Sequence, residues 1–166
     1  MHNIEQGTLA DLDAVNSVIG QAIGTWTVSD RVKRLSLPVY QYDAVDLSHL
    51  HLAVIRDNSR ELIALATWEA ADKADLPPGK TGLLLHGLYV MPSAFQRGYG
   101  SALLQACLTA AEQAGFDGVL VKATRDSESF FAARGMTQLP VNDRQRDYDR
   151  RYWLATPTKA PQTRPG

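Results

Sequence analysis

The chain of 166 residues contains a single cysteine, Cys107, so it can form neither an internal disulfide nor a cysteine-cluster metal site. Charge of one sign is lacking as well. Seventeen Lys and Arg stand against 18 Asp and Glu, for a formal net charge of -1, which leaves no global field to hold a polyanion or an anionic membrane. Nucleic acid and membrane are therefore not expected partners. The longest nearly apolar run, Leu83 to Pro92, is interrupted by His86 and falls far short of the roughly 20 residues that cross a bilayer. The first thirty residues carry Glu5, Asp11 and Asp13 and lack a basic start followed by an apolar core, so a cytoplasmic protein is expected. Internal repeats are absent.

What is present is the composition of an ordinary globule, 45% hydrophobic and 21% charged, long enough for one packed domain without a staple or metal. We expect a single α/β domain over residues 1-155, followed by a disordered tail over 156-166, which is rich in Pro and Thr. His2 to Gly7 reads as a first strand. Thr8 can cap a helix in which Leu9, Leu12, Val15, Ile19 and Ile23 recur at helical spacing. Gly24 to Asp30 is a break, and Arg31 to Tyr42, interrupted by Pro38 and followed by the acidic stretch Asp43 to Asp46, reads as an irregular helical loop. Leu50 to Ile55 and Glu61 to Glu69 flank turn chemistry at residues 56–60 and predict a hairpin.

After a Pro- and Gly-rich loop comes the most strand-like run, Leu83 to Met91. A helix over Gly98 to Ala114 follows, with Leu103, Leu104, Cys107, Leu108 and Ala111 on one stripe, and then a buried-type strand, Gly118 to Ala123. This crossover is long enough to make its two strands parallel, which puts the intervening loop at the carboxyl end of the first. A short helix around Ser127 to Arg134 stops at Gly135, and Met136 to Val141 and Tyr148 to Ala155 supply two final strands.

The strand-to-helix junction reads Gln96-Arg97-Gly98-Tyr99-Gly100-Ser101. Two glycines permit a tight turn and close backbone approach, the helix start favours a phosphate, and Arg97 adds a cationic fork. It is not a dinucleotide fingerprint, since Leu103 stands at the third glycine position, and no Gly-Lys-Ser/Thr ending is present. His86 shares strand parity with Leu84, Leu88 and Val90, and Gly87 beside it marks a bulge or a close backbone approach. Taken alone, a strand histidine reads more readily as a hydrogen-bonded core residue than as a catalytic one. His49 and His51, alternating on one strand edge, lack a recognisable third ligand, and Cys107 belongs to the apolar stripe of its helix.

The run Leu84-Leu85-His86-Gly87-Leu88-Tyr89-Val90-Met91-Pro92, followed by Gln96-Arg97-Gly98-Tyr99-Gly100-Ser101-Ala102-Leu103-Leu104, resembles the acetyl-CoA-binding core of the GNAT superfamily of N-acetyltransferases. Thr124, Ser127, Phe130-Phe131 and Gly135-Met136 continue the likeness. The resemblance implies a mixed central sheet flanked by helices, acetyl-CoA as acetyl donor with no metal, and transfer to a primary amine in a ternary complex. By it, the backbone of Leu88, Tyr89 and Val90 pairs with the pantetheine arm, and Gln96, Arg97, Gly98, Tyr99, Gly100 and Ser101 hold the pyrophosphate. Thr124, Ser127 and Phe131 line the far side of the cleft, and Trp26 and Glu69 fall where acceptor pockets are built. The stretch around His86 is similar to that of arylalkylamine N-acetyltransferases, in which a histidine serves as base, directly or through water; transfer to an amine needs that amine neutral, and a base with a reference value near 6.5 suits the task. Three departures stand out: Phe95 occupies a place usually held by Gln or Arg, Thr124 replaces Asn, and Phe131 replaces a Tyr that often protonates the departing thiolate. Tyr148 or Tyr152 is a candidate substitute donor. Phe131 also motivates the rival reading of a sensor or regulatory module that binds acetyl-CoA without turnover. A homodimer is left open.

Overall fold

The computed structural model describes residues 3–157. Most of the expected tail lies outside them, but Thr156 is tied down, its N–H donating to the Asp117 carbonyl and its hydroxyl to that of Phe116. Seven strands form one sheet: β1 (Ile4–Gln6), β2 (His51–Arg56), β3 (Leu62–Ala70), β4 (Gly82–Val90), β5 (Gly118–Lys122), β6 (Thr137–Gln138) and β7 (Arg151–Ala155). Their spatial order is β1-β2-β3-β4-β5-β7-β6. Every neighbouring pair is antiparallel except β4 and β5. The predicted hairpin is β2 and β3, and the predicted strand-helix-strand unit is β4, α4 (Tyr99–Gln113) and β5.

Both faces of the sheet are covered by apolar stripes at helical spacing. On one, α1 (Leu12–Ile23) packs Val15, Val18, Ile19 and Ile23 with Leu52, Val54 and Leu65. In the other cluster Leu103, Leu104, Cys107, Leu108 and Ala111 of α4 pack with Leu83, Leu85, Val119 and Val121. Burial pushes the Cys107 thiol up to about 12, so it stays a neutral core side chain.

Several expectations need correction. Asp30–Tyr40 forms a regular helix, α2, capped by the Ser29 side chain, which accepts from the Val32 N–H at 3.2 Å. Pro38 sits in its last turn, and the Gln41 N–H still closes the helix on the Leu37 carbonyl. No residue of α2 is fully buried, so no core stripe announces it. The acidic stretch is a capping box, in which Asp43 and Asp46 accept each other's N–H and start α3 (Ala44–His49). His49 ends α3 while His51 opens β2, so the two do not alternate on one strand. Leu9 lies in a 3-10 turn and is 58% exposed. The last two strands are shorter than expected, and Tyr148 precedes β7.

Residues 139–150 are held down by Arg151, which is buried. Its Nη1 donates to the Asp75 carbonyl at 2.8 Å and its Nη2 to that of Pro140 at 2.9 Å, with Asp147 at 3.5 Å. The N–H groups of Asp143 and Asn142, with Arg151 nearby, hold the Asp147 carboxyl below its ordinary value of 3.8. A carboxyl lowered on folding contributes stability above its unfolded value and loses it as pH falls through its folded one. Asp147→Asn should therefore lower the thermal midpoint at pH 7. Measured by calorimetry across pH, the gap from the parent should close below the ordinary aspartate range; a gap independent of pH would contradict this.

Candidate active site

The site begins with a register slip. Along β3 and β4, Thr67 faces Gly87 and Trp68 faces Leu85, which leaves His86 without a cross-strand partner. This is a β-bulge, a device that bends the strand and re-aims side chains. On the other edge, β4 pairs with β5 only from Gly82↔Gly118 to Leu85↔Val121. From the bulge onward the two parallel strands part, opening a cleft of about 730 Å³. The bulge also overturns the expected parity: Leu88 and Val90 pack against the α4-side cluster, whereas His86 is turned to Tyr42, which belongs to the α1-side cluster with Tyr89. Gly87 is required here, because a Cβ would collide with the Tyr42 hydroxyl.

Among the described residues, the parted edge of β4 is a row of backbone groups without a strand partner. The Met91 N–H donates to the Ile63 carbonyl at 2.8 Å, so antiparallel alternation directs the amides of Val90 and Leu88 to the open side. An extended chain with its own amides can pair there. Beyond it, Gly98 precedes α4 with φ +82 and Gln96 has φ +62, and the Ala102 N–H, donating to the Gly98 carbonyl, makes the first bond of the helix. First-turn amides have no intrahelical partner and carry the positive end of the helix dipole. A Cβ at Gly100 would come within 3.1 Å of the Phe130 ring, so a side chain there would crowd the ring. These features fit a phosphate-bearing chain such as acetyl-CoA.

Of the residues expected to hold it, Leu88, Tyr89, Val90, Gln96, Gly98, Tyr99, Gly100, Ser101, Thr124, Ser127 and Phe131 line the cleft, and Arg97 does not. A different cation lies at the helix start. Arg134 donates from Nε to the Ser101 Oγ at 2.9 Å and stacks over the Phe130 ring at 3.9 Å. Its i,i+4 spacing from Phe130 was the available sequence signal. Thr124 and Ser127 serve the turn that opens α5 (Glu128–Ala133): Ser127 Oγ donates to the Thr124 carbonyl at 3.0 Å and accepts from the Thr124 N–H at 2.9 Å.

At the other end, His86 is exposed into the cleft and its Nδ1 lies 3.1 Å from the Tyr42 hydroxyl, itself 2.7 Å from Thr67 Oγ1. Trp26 lines the same cavity and meets Tyr40 edge to face at 5.2 Å. Asp126 crosses from the β5 side to accept the N–H and hydroxyl of Thr27 at 3.0 and 2.9 Å. Glu69 is half-buried and outside the lining, although its charge contributes to raising Tyr42. Neither alternative proton donor lines the cleft: the Tyr148 hydroxyl donates to the Ala123 carbonyl at 2.7 Å and that of Tyr152 to Glu128 at 3.1 Å. Among the described residues no group of three or more His, Cys, Asp or Glu is placed to hold a metal ion, and no helix is long and apolar enough to cross a membrane.

A sheet parted at a bulge, with a phosphate-type loop beside it, defines an α/β domain with a cleft shaped for an extended, phosphate-bearing ligand. A sequence model of the acetyltransferase (GNAT) family matches residues 20–136, and the chain belongs to that family. Its fold is similar to that of a GCN5-related N-acetyltransferase from Rhodopseudomonas palustris, with TM-score 0.70, 16% identity, and 94% of this chain and 95% of that one covered. The PaiA N-acetyltransferase from Thermoplasma acidophilum, in complex with coenzyme A, superposes with TM-score 0.68 at 13% identity over 93% and 99% of the two chains. AtaTR bound with acetyl-CoA gives 0.62 at 17% identity over 93% and 92%. No curated protein matches the sequence.

The site makes two measurable demands. Acetyl-CoA at a hundredfold excess over its dissociation constant should stabilise the fold by about 2.7 kcal/mol. Gly98→Val should abolish that response, since a β-branched residue resists positive φ, and Arg134→Ala should weaken it. A thermal midpoint unmoved by saturating acetyl-CoA and by CoA would refute the placement.

Proposed function

We propose that the protein is an acetyl-CoA-dependent N-acetyltransferase that moves the acetyl group to a primary amine by direct attack in a ternary complex. The observation that carries this reading is the position of His86, thrust by the bulge into the cleft where the open β4 edge begins. The open edge at Leu88 and Val90 and the loop 96–101 would hold the donor, with Arg134 beside its phosphates. Bound acetyl-CoA supplies a thioester carbonyl activated towards amines.

The chain's own part is to select, orient and deprotonate the amine. Trp26 and Tyr40 offer an aromatic wall to the body of the acceptor. An alkyl amine has a reference value near 10.4 and is almost wholly protonated at pH 7, so a proton must leave its nitrogen for the lone pair to attack. His86 uses Nδ1 on Tyr42, and no protein group among the described residues bonds Nε2, which leaves that atom to take the proton. The hydroxyl missing at Phe131 is tolerable, because a thiol has a reference value of only about 8.5 and the thiolate departs with little help.

His86→Ala should keep acetyl-CoA affinity and lower turnover by a factor of about 100 to 10,000, with partial recovery at alkaline pH as the amine deprotonates unaided. Phe131→Tyr should change turnover far less. The assay is thiol release with a panel of primary amines, run beside a binding titration. Binding without turnover on any amine would favour the sensor reading, and an unaltered His86→Ala rate would remove His86 as the base.

A further inference from the structure

Tyr42 belongs to no element of the sheet, yet the structure spends several contacts on placing it. It lies between α2 and α3, 7% exposed. Its backbone is clamped from α1 on both sides: Asn16 Nδ2 donates to the Tyr42 carbonyl at 2.8 Å, and the Tyr42 N–H donates to Asn16 Oδ1 at 2.8 Å. Its hydroxyl occupies the space left by the missing side chain of Gly87, between Thr67 Oγ1 at 2.7 Å and His86 Nδ1 at 3.1 Å. Burial, with the charges of Asp46 and Glu69, pushes the phenol up to about 12, so Tyr42 stays a neutral hydroxyl with one proton to give.

That single proton allows two arrangements of the triad. In one, Tyr42 donates to His86 Nδ1, so a neutral imidazole must carry its own proton on Nε2 and has no lone pair left for the amine. In the other, His86 Nδ1–H donates to Tyr42, Tyr42 donates to Thr67 Oγ1, and Nε2 faces the cleft as a free base. Only the second survives protonation of His86. When Nε2 takes up a proton, both ring nitrogens are donors, and Nδ1–H still finds the Tyr42 oxygen without any hydroxyl rotating. Thr67 Oγ1, 0% exposed on the strand that faces Gly87, lies 2.7 Å from the Tyr42 hydroxyl, within reach to accept its proton as the second arrangement requires.

We infer that Tyr42, anchored by Asn16 and Thr67, is a positioning residue that fixes His86 in the Nδ1–H tautomer and so presents Nε2 as the base. The catalytic consequence rests on the assignment of His86 as the base, while the tautomer itself does not. The titratable side chains that interact electrostatically with Tyr42 are Asp46 of α3, Glu69 of β3 and Tyr89 of β4. None replaces the Tyr42 oxygen as the partner of Nδ1.

The test is nitrogen NMR of the full chain labelled with 15N-histidine, at a pH where His86 is neutral and with His86→Ala identifying its signals, beside steady-state kinetics. The parent should show His86 protonated on Nδ1 and bare on Nε2. Tyr42→Phe, which keeps the ring, should move it towards the Nε2–H form that an unconstrained imidazole favours. It should also lower kcat about tenfold with the acetyl-CoA KM unchanged. Thr67→Val should give the same direction of change with a smaller size, a second route to the result should Tyr42→Phe fold poorly. In a His86→Ala background Tyr42→Phe should have no further effect on kcat. A parent spectrum with Nε2 protonated would overturn the tautomer, and an equal loss of rate from Tyr42→Phe with and without His86 would overturn its action through that residue. An active His86→Ala protein would instead defeat the base assignment, and with it the catalytic consequence, while the spectrum still decides the tautomer.

Discussion

Strand β4 carries one residue more than β3 can pair, and the rest of the site follows from where that surplus falls. With His86 left out of the ladder between Gly87 and Leu85, β4 bends away from β5 directly after the Leu85↔Val121 pair. The same step opens the cleft, frees the backbone edge of residues 86–90 and throws the His86 ring onto the α1 side of the sheet. A bulge costs a ladder bond and leaves polar groups unpaired; here those groups border a cavity in which a ligand can satisfy them. Gly87 is part of the same constraint, since its missing side chain makes room for the Tyr42 hydroxyl.

Labour is divided between the two layers that flank the sheet. On the α4 side, the helix start, the positive φ of Gln96 and Gly98, and Arg134 over Phe130 form a wall suited to phosphates. On the α1 side, Trp26, Tyr40 and Tyr42 form an aromatic wall around the histidine. The two walls meet where Asp126 accepts from Thr27 across 99 positions of sequence. The cleft therefore has two halves built by different parts of the chain, and His86 stands at their border.

The legible parts of this arrangement are those written in local periodicity. The stripe of α4, the parallel β4 and β5, the hairpin and the glycine loop all follow from short spacings, because burial of a helix face or a strand is paid for by neighbouring residues of the same segment. Helix α2 reads in the sequence only as an irregular helical loop because it buries nothing fully, and Gly87 signals the bulge without the change of parity that separates His86 from Leu88 and Val90. Tyr42 and Asp126 had no signal, since their partners lie 44 and 99 residues away. Arg97 stands inside the loop motif but away from the cleft, whereas Arg134, outside the motif, lines the cleft in space.

The central claim is that the edge of β4 released by the bulge receives the acyl donor. Hydrogen exchange of the Leu88 and Val90 amides, followed residue by residue with and without saturating acetyl-CoA, reads that edge directly. Pairing with the donor predicts marked slowing at these two amides, with little change at Tyr89, whose N–H alternation directs to β3. Exchange at Leu88 and Val90 that stays unchanged while acetyl-CoA is demonstrably bound would contradict the account.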